Sequence, residues 1–226
     1  MLPTRAIAFL TKVLHTTGIV ISASHNPARD NGVKFFSNDG FKLPDELELA
    51  IENAVFEDRL PSERPTSAEV GKIQHVSDAG ERYCDHVIHS VFAETPPDFQ
   101  GMNIIVDCAN GAQSSIAPSV FERLQIKATI LSSSPDGLNI NHNCGALHTE
   151  LLQKRVLEEH ADLGIAFDGD ADRIILVDEQ GKKFDGDQIM AMLALDLLHK
   201  RQLKNNILVA TVMSNLGLEV AIQEAG

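Results

Sequence analysis

From residue 102 onward the chain alternates short β-branched runs with helically spaced stretches: MNIIVD, SSIAPSVFERL, KATIL, a helical stretch over about 149–160, then ADLGIAF. Such an alternation is the signature of an α/β fold, because parallel strands are joined by crossover helices that cover the faces of the sheet. The following DRIILVDEQGKKF reads as a strand and a hairpin turn, so the expected fold class is α/β with mixed and parallel sheets and crossover helices. Beyond it, DGDQIMAMLALDLLHKR reads as a helix, NNILVAT as a strand and NLGLEVAIQEA as a helix. One strand and two helices do not close a layered domain, so residues 186–226 read as the opening of a third unit.

The first part of the chain is less regular. Residues 4–14 have helical spacing, GIVIS at 18–22 is a strand, and the chain then enters the turn SASHNP. Pro27 biases Asn26 away from the helical region, and RDNG is a turn signal leading into a second strand, VKFFS. A helix opens after Pro44 with acidic residues in its first turn, a polar proline-bearing loop spans 57–72, and AGERYCDHVIHSVFA is helical again. ETPPDFQG, at 94–101, is the best linker in the chain. The expected units are therefore a partial first domain over 1–93, a second over 102–178 and the start of a third over 186–226.

Composition excludes several classes of function. The 226 residues carry 19 Lys plus Arg against 32 Asp plus Glu, a formal net charge of −13, which argues against nucleic-acid and membrane partners. Any phosphate must then be met by local donors. Cys84, Cys108 and Cys144 are odd in number and form no CxxC pair, which fits a reducing cytoplasm better than a disulfide framework. The amino-terminal stretch lacks the layout of a secretory leader, and the apolar AMLALDLL is interrupted by Asp196, so a cytoplasmic protein is expected.

Two stretches carry chemistry. FDGDADR sets Asp168, Asp170 and Asp172 at alternate positions, which on an extended backbone would point three carboxylates to one face. The spacing, with Glu179 at the twelfth place, nearly spells a calcium loop. Arg173 stands where that loop needs glycine, however, and IILVD reads as a buried strand, so an EF-hand is rejected. Three close carboxylates repel one another unless a cation neutralises them, and three oxygen ligands suit Mg2+, which fills its remaining positions with water and phosphate. The alternative is a solvated acidic turn. In SASHNP, Ser24 beside His25, with Lys34 ten residues on, reads either as a nucleophile or phosphate carrier or as an ordinary capping turn. Arg173 offers bidentate phosphate recognition or is a surface charge. Together the two loops favour the functional readings, since a phosphate on Ser24 would supply the cation's missing ligand. His142 and Cys144 in NHNCG make a weak two-ligand set, and His86 and His89 read as a solvated helix face.

GIVISASHNPARDNGVKFFS, LPDELELAIE, VDCANGA, GLNIN, ADLGIAFDGDADRIILVDEQGKKFDGDQIM and SNLGLEVA closely resemble the phosphoglucosamine mutase branch of the α-D-phosphohexomutase superfamily, nearly from end to end. The resemblance implies a phosphoserine enzyme that interconverts glucosamine 6-phosphate and glucosamine 1-phosphate through a bound 1,6-bisphosphate, so its partner is a phosphorylated amino sugar. It puts the phosphoryl group on Ser24, and magnesium on Asp168, Asp170, Asp172 and an oxygen of that phosphate. Lys34 would assist proton transfer, His25 would flank the phosphoserine and Arg173 would contact phosphate. Phosphomannomutase or phosphoglucomutase specificity, and a non-catalytic magnesium-binding remnant, are the alternatives. Three departures stand out: Ala171 where many relatives have glycine, Arg5 in place of the proline of a PTP segment, and CGALH in place of a threonine-bearing version. Segments that such proteins carry before and after this stretch are absent from the 226 residues, so the chain is expected to be a piece of a longer product with little mutase activity by itself.

Overall fold

The computed structural model describes residues 1–57, 65–92 and 95–225. The chain opens with helix α1 (Thr4–Leu14), followed by strands β1 (Gly18–Ser22) and β2 (Gly32–Phe36), which pair antiparallel with Gly18 opposite Phe36 and Val20 opposite Lys34. Helices α2 (Asp45–Phe56) and α3 (Ala79–Val91) come next. Of the proline-bearing loop expected over 57–72, residues 58–64 lie outside the described residues and the rest is irregular apart from a 3-10 turn at Ser67–Glu69. Ala93 and Glu94, where the sequence reading ends the helix and begins the linker, also lie outside them.

Then come β3 (Asn103–Asp107), α4 (Ala117–Arg123), β4 (Lys127–Leu131), α5 (Glu150–Glu159), β5 (Leu163–Phe167), β6 (Ile174–Asp178) and the short β7 (Lys183–Phe184). Their sheet runs in the order β4-β3-β5-β6-β7, parallel across β4, β3 and β5 and antiparallel from β5 to β7. The expected mixed α/β architecture is present. Successive residues of β3 point to opposite faces, as the period of two requires. Ile105 joins Leu152 and Val156 of α5 on one side, while Ile104 and Val106 pack with Ala117 of α4 on the other. Each fully buried Ile, Leu or Val contributes about 1.5–3 kcal/mol, so this double-sided strand anchors the sheet. A third cluster of Ala6, Tyr83, Cys84 and Ile116 ties α1 and α3 to the segment entering α4.

Two elements differ from the sequence reading. The helix expected from SSIAPSVFERL begins only at Ala117, after a separate 3-10 turn at Ala112–Ser114. Pro118 explains this, since proline is tolerated in the first helical turn but not in the interior. The strand expected from NNILVAT does not form. Lys204–Asn206 make a 3-10 turn, and residues 207–211 carry no ladder although Ile207 and Val209 are exposed. β-Branched residues favour a strand only where a neighbour takes the backbone hydrogen bonds, and among the described residues no strand lies beside this one. The segment instead links α6 (Gly186–His199) to α7 (Leu216–Ala225), which pack on each other. Helix α6 starts in a capping box, with the Gln188 amide donating to Asp185 and the Asp185 amide donating to Gln188 Oε1.

Candidate active site

β1 delivers the serine loop. At its end the Ser24 amide donates to Ser22 Oγ at 2.9 Å, Ala23 is buried, and the Asn26 amide closes a turn on the Ala23 carbonyl at 2.9 Å. Ser24 takes a left-handed backbone conformation, φ 55°. That placement is uncommon for a residue other than glycine and aims the side chain across the turn instead of along the strand. The crowding of SASHNP is thus a device for turning one hydroxyl out of the sheet.

The hydroxyl meets the acidic loop between β5 and β6. Ser24 Oγ donates to Asp170 Oδ1 at 3.0 Å. Asp170 Oδ2 accepts from Thr4 Oγ1 at 2.7 Å and from Lys34 Nζ at 2.5 Å, and the ammonium also reaches Asp172 Oδ2 at 3.3 Å. The backbone is clamped as well, since the Thr4 amide donates to the Asp170 carbonyl at 3.1 Å. One carboxylate therefore gathers the first turn of α1, the middle of β2 and the end of β1.

The three aspartates converge, though not on an extended face as their alternation suggested. Residues 168–173 form a tight turn in which Asp168 Oδ1 accepts the amides of Asp172 and Arg173 at 3.1 and 3.0 Å. Ala171 stands in the left-handed region at φ 60°, the case in which replacing glycine is not neutral. Gly169 lets the two loops touch: a Cβ there would collide with the Ser24 carbonyl oxygen and with Ile140.

Each of Asp168, Asp170 and Asp172 offers an oxygen within 4.8 Å of the others, the one such cluster of three among the described residues. Asp168 and Asp170 are buried, and Asp168 Oδ2 has no hydrogen-bond partner. An orphaned, buried carboxylate oxygen in an all-oxygen donor set fits a hard divalent cation. Burial pushes the Asp168 carboxyl up to about 6, aided by the neighbouring Asp172 and Asp170 and opposed by the amide at Arg173. Asp170 goes the other way: burial would raise it, but hydrogen bonds from Lys34, Thr4 and Ser24 together with the Lys34 charge hold it below its usual range. Burial would lower Lys34, and its hydrogen bond and attraction to Asp170 more than reverse this.

The other expected site residues sit at the margin. His25 is half-buried, its Nδ1 without a partner, and Arg173 is exposed with Nε 3.9 Å from Asp172 Oδ1. His142 is exposed while Cys144 is buried beside Asn110, so NHNCG does not assemble a metal set. His89 is exposed as expected, and His86, also exposed, stacks on Phe9 with ring centroids 4.1 Å apart. Sequence reading missed Thr4 and Asn141. Thr4 lies 166 residues from its partner, beyond the reach of any spacing rule. The Asn141 side-chain amide donates to the carbonyls of Ser24 and Asn26 at 2.8 and 2.9 Å, and only its place in GLNIN marked it.

Residues 1–61, 81–181 and 185–226 match the family models described as phosphoglucomutase/phosphomannomutase, alpha/beta/alpha domains I, II and III, and the chain belongs to that family. Within it, the chain is 51% identical to a phosphoglucosamine mutase of Geobacter sp. (strain M21) and 50% identical to one of Pseudomonas fluorescens (strain SBW25), over all 226 residues and 49% of each relative. The chain thus spans about half the length of these relatives. A crystal structure of a putative phosphomannomutase from Thermus thermophilus overlays with a TM-score of 0.71 at 24% identity, covering 89% of this chain and 45% of that one. A phosphoglucomutase/phosphomannomutase family protein from Burkholderia thailandensis overlays at 0.68 with 23% identity, over 89% of this chain and 44% of that one. At these identities the overlays speak to the fold alone.

Proposed function

We propose that this chain carries the phosphoryl-transfer half of a phosphoglucosamine mutase, with Ser24 as the group that accepts and returns phosphate. The observation that carries the reading is the hydrogen bond from Ser24 Oγ to Asp170, within a carboxylate cluster that has an orphaned oxygen. The amino-sugar assignment rests on relatives of that name at about 50% identity. Asp168, Asp170 and Asp172 would hold Mg2+ together with an oxygen of the serine phosphate. When bound, the ion would supply neutralising charge to the phosphoryl oxygens.

The chain's own residues do the rest. Asp170 orients the serine hydroxyl by accepting its hydrogen bond, and Oγ forms the bond to phosphorus of a glucosamine 1,6-bisphosphate as the hydroxyl gives up its proton. The bond between that phosphorus and the sugar oxygen breaks, and the proton ends on the departing sugar hydroxyl. Lys34, whose ammonium rests on the same carboxylate and would be freed from it by a cation, gives a proton to the departing sugar oxygen, recovers one from the serine hydroxyl and adds positive charge beside the transferring group. His25 flanks the phosphoserine and Arg173 meets phosphate oxygens from the rim. Phosphoryl transfer depends chiefly on positioning and charge, which is what this constellation offers.

Phosphorus NMR of the chain with Mg2+ and a stoichiometric amount of glucosamine 1,6-bisphosphate tests the reading. Appearance of glucosamine monophosphate together with a protein-bound phosphoester is expected. Unchanged bisphosphate, or release of inorganic phosphate alone, would contradict it.

A further inference from the structure

We propose that Asn141 is a positioning residue for Ser24, acting through the backbone of the serine loop. The inference rests on the reading of Ser24 as phosphoryl acceptor and adds to it a residue that touches neither phosphate nor cation. Asn141 lies in the loop after β4, 117 residues from Ser24, and its Nδ2 bridges the carbonyls of Ser24 and Asn26. Both contacts are acceptors, so the nitrogen of the amide, not its oxygen, must face them.

The supporting loop is built to present that amide. Asn141 is left-handed at φ 56°, a conformation asparagine tolerates, and its own amide is fixed on the Ala109 carbonyl at 2.9 Å. Asp136 Oδ1 takes the amides of Leu138 and Asn139, Asn139 Nδ2 returns to the Ser134 carbonyl, and Asn110 Nδ2 holds the Asn139 carbonyl. A loop fastened at so many points is a rigid arm.

Its target needs one. Ser24 is held in a strained left-handed conformation whose orientation sets the Oγ to Asp170 distance. The two N–H donors of the one Asn141 amide hold the Ser24 and Asn26 carbonyls, and so fix the Ser24–His25 and Asn26–Pro27 peptide planes. Without them the loop is held locally by the Ser22 hydroxyl, by turn hydrogen bonds from the Asn26 amide to Ala23 and from the Asp30 amide to Pro27, and by Asn31 Nδ2 on the Ala28 carbonyl, none of which takes the Ser24 or Asn26 carbonyl. A misplacement of about 1 Å at a reacting atom costs roughly a hundredfold in rate.

The test compares the unaltered chain with Asn141→Ala and with Asn141→Asp, which keeps the shape but lacks both donors. Each is incubated with Mg2+ and increasing glucosamine 1,6-bisphosphate, and phosphate on Ser24 is followed by peptide mass spectrometry. Mn2+ affinity and deuterium uptake over residues 21–31 are measured alongside. The expected result is a maximal labelling rate lower by about a hundredfold in both variants, a half-saturating bisphosphate concentration within about twofold, unchanged Mn2+ affinity, and faster exchange confined to the serine loop. Labelling at the unaltered rate overturns the proposal, and so does a loss that tracks weakened Mn2+ binding. If Asn141→Ala does not fold, Asn141→Asp decides. If the unaltered chain takes no label, the phosphoserine reading fails by itself. Exchange then decides the anchoring: faster uptake confined to 21–31 supports it, and unchanged uptake overturns it.

Discussion

Lys34→Met separates the two partners that Asp170 and Asp172 can have. In the structure the Lys34 ammonium is 2.5 Å from Asp170 Oδ2 and 3.3 Å from Asp172 Oδ2, with Asp170 only 2% exposed and the lysine side chain 32% exposed. At an effective dielectric of ~20, unit charges about 4 Å apart attract by roughly 4 kcal/mol. The desolvation that methionine avoids and the partial exposure of the lysine offset about half of that, leaving a loss of roughly 2 kcal/mol in the absence of a divalent cation. For a chain of this size such a loss lowers Tm by about 4–8 °C. A cation placed among the carboxylates takes over the role of the ammonium. The variant is therefore expected to bind Mn2+ up to about thirtyfold more tightly, the same 2 kcal/mol expressed as an affinity. Differential scanning fluorimetry in EDTA and then across a Mn2+ series reads both effects. Saturating Mn2+ is expected to raise Tm of the variant by more than that of the unaltered chain, so that the gap between them closes by at least about half. Equal rises in the two proteins would refute competition between Lys34 and a cation, and with it the placement of the cation on Asp170 and Asp172.

Ala171→Gly relieves a left-handed alanine at φ 60°. Strain relief of about 1–2 kcal/mol, less the extra freedom of glycine in the unfolded chain, gives a net gain near 0.5–1 kcal/mol and a Tm higher by about 1–4 °C. A lower Tm in a thermal melt would contradict this. The Asp168 carboxyl is raised from 3.8 to about 6, so without a divalent cation its neutral form favours the fold: that contribution is complete below pH about 4 and is lost as pH rises through about 6. A cation must displace the same proton. Mn2+ affinity, read by electron paramagnetic resonance, is expected to rise about tenfold per pH unit up to about 6 and then level off. A plateau that already starts in the ordinary aspartate range, near pH about 4, would show that burial does not hold a proton on Asp168.

Much of this was legible in the sequence because it is local. The apolar runs of β3, β4 and β5 and the helices between them announce themselves by period. SASHNP and FDGDADR announce a turn and an acidic cluster by composition. What was not legible depends on partners distant in the chain. NNILVAT has strand-forming residues but lacks a neighbour to pair with, and propensity alone does not supply hydrogen-bond acceptors. The aspartates converge through a left-handed turn, where alternation suggested an extended face, because side-chain period says nothing about where a backbone reverses. Thr4 reaches Asp170 across the boundary between α1 and the β5–β6 loop, and Asn141 reaches Ser24 from the opposite direction. Each looked unremarkable in its own neighbourhood, as a threonine opening a helix and an asparagine in a turn.

The most direct test of the central claim is peptide-level mass spectrometry of the chain after incubation with glucosamine 1,6-bisphosphate and Mg2+, run beside Ser24→Ala and Asp170→Asn. Phosphate on the peptide carrying Ser24, absent from Ser24→Ala and lost in Asp170→Asn, is the predicted result. Phosphate at another residue, or on Ser24 with equal yield when Asp170 is replaced, would contradict it.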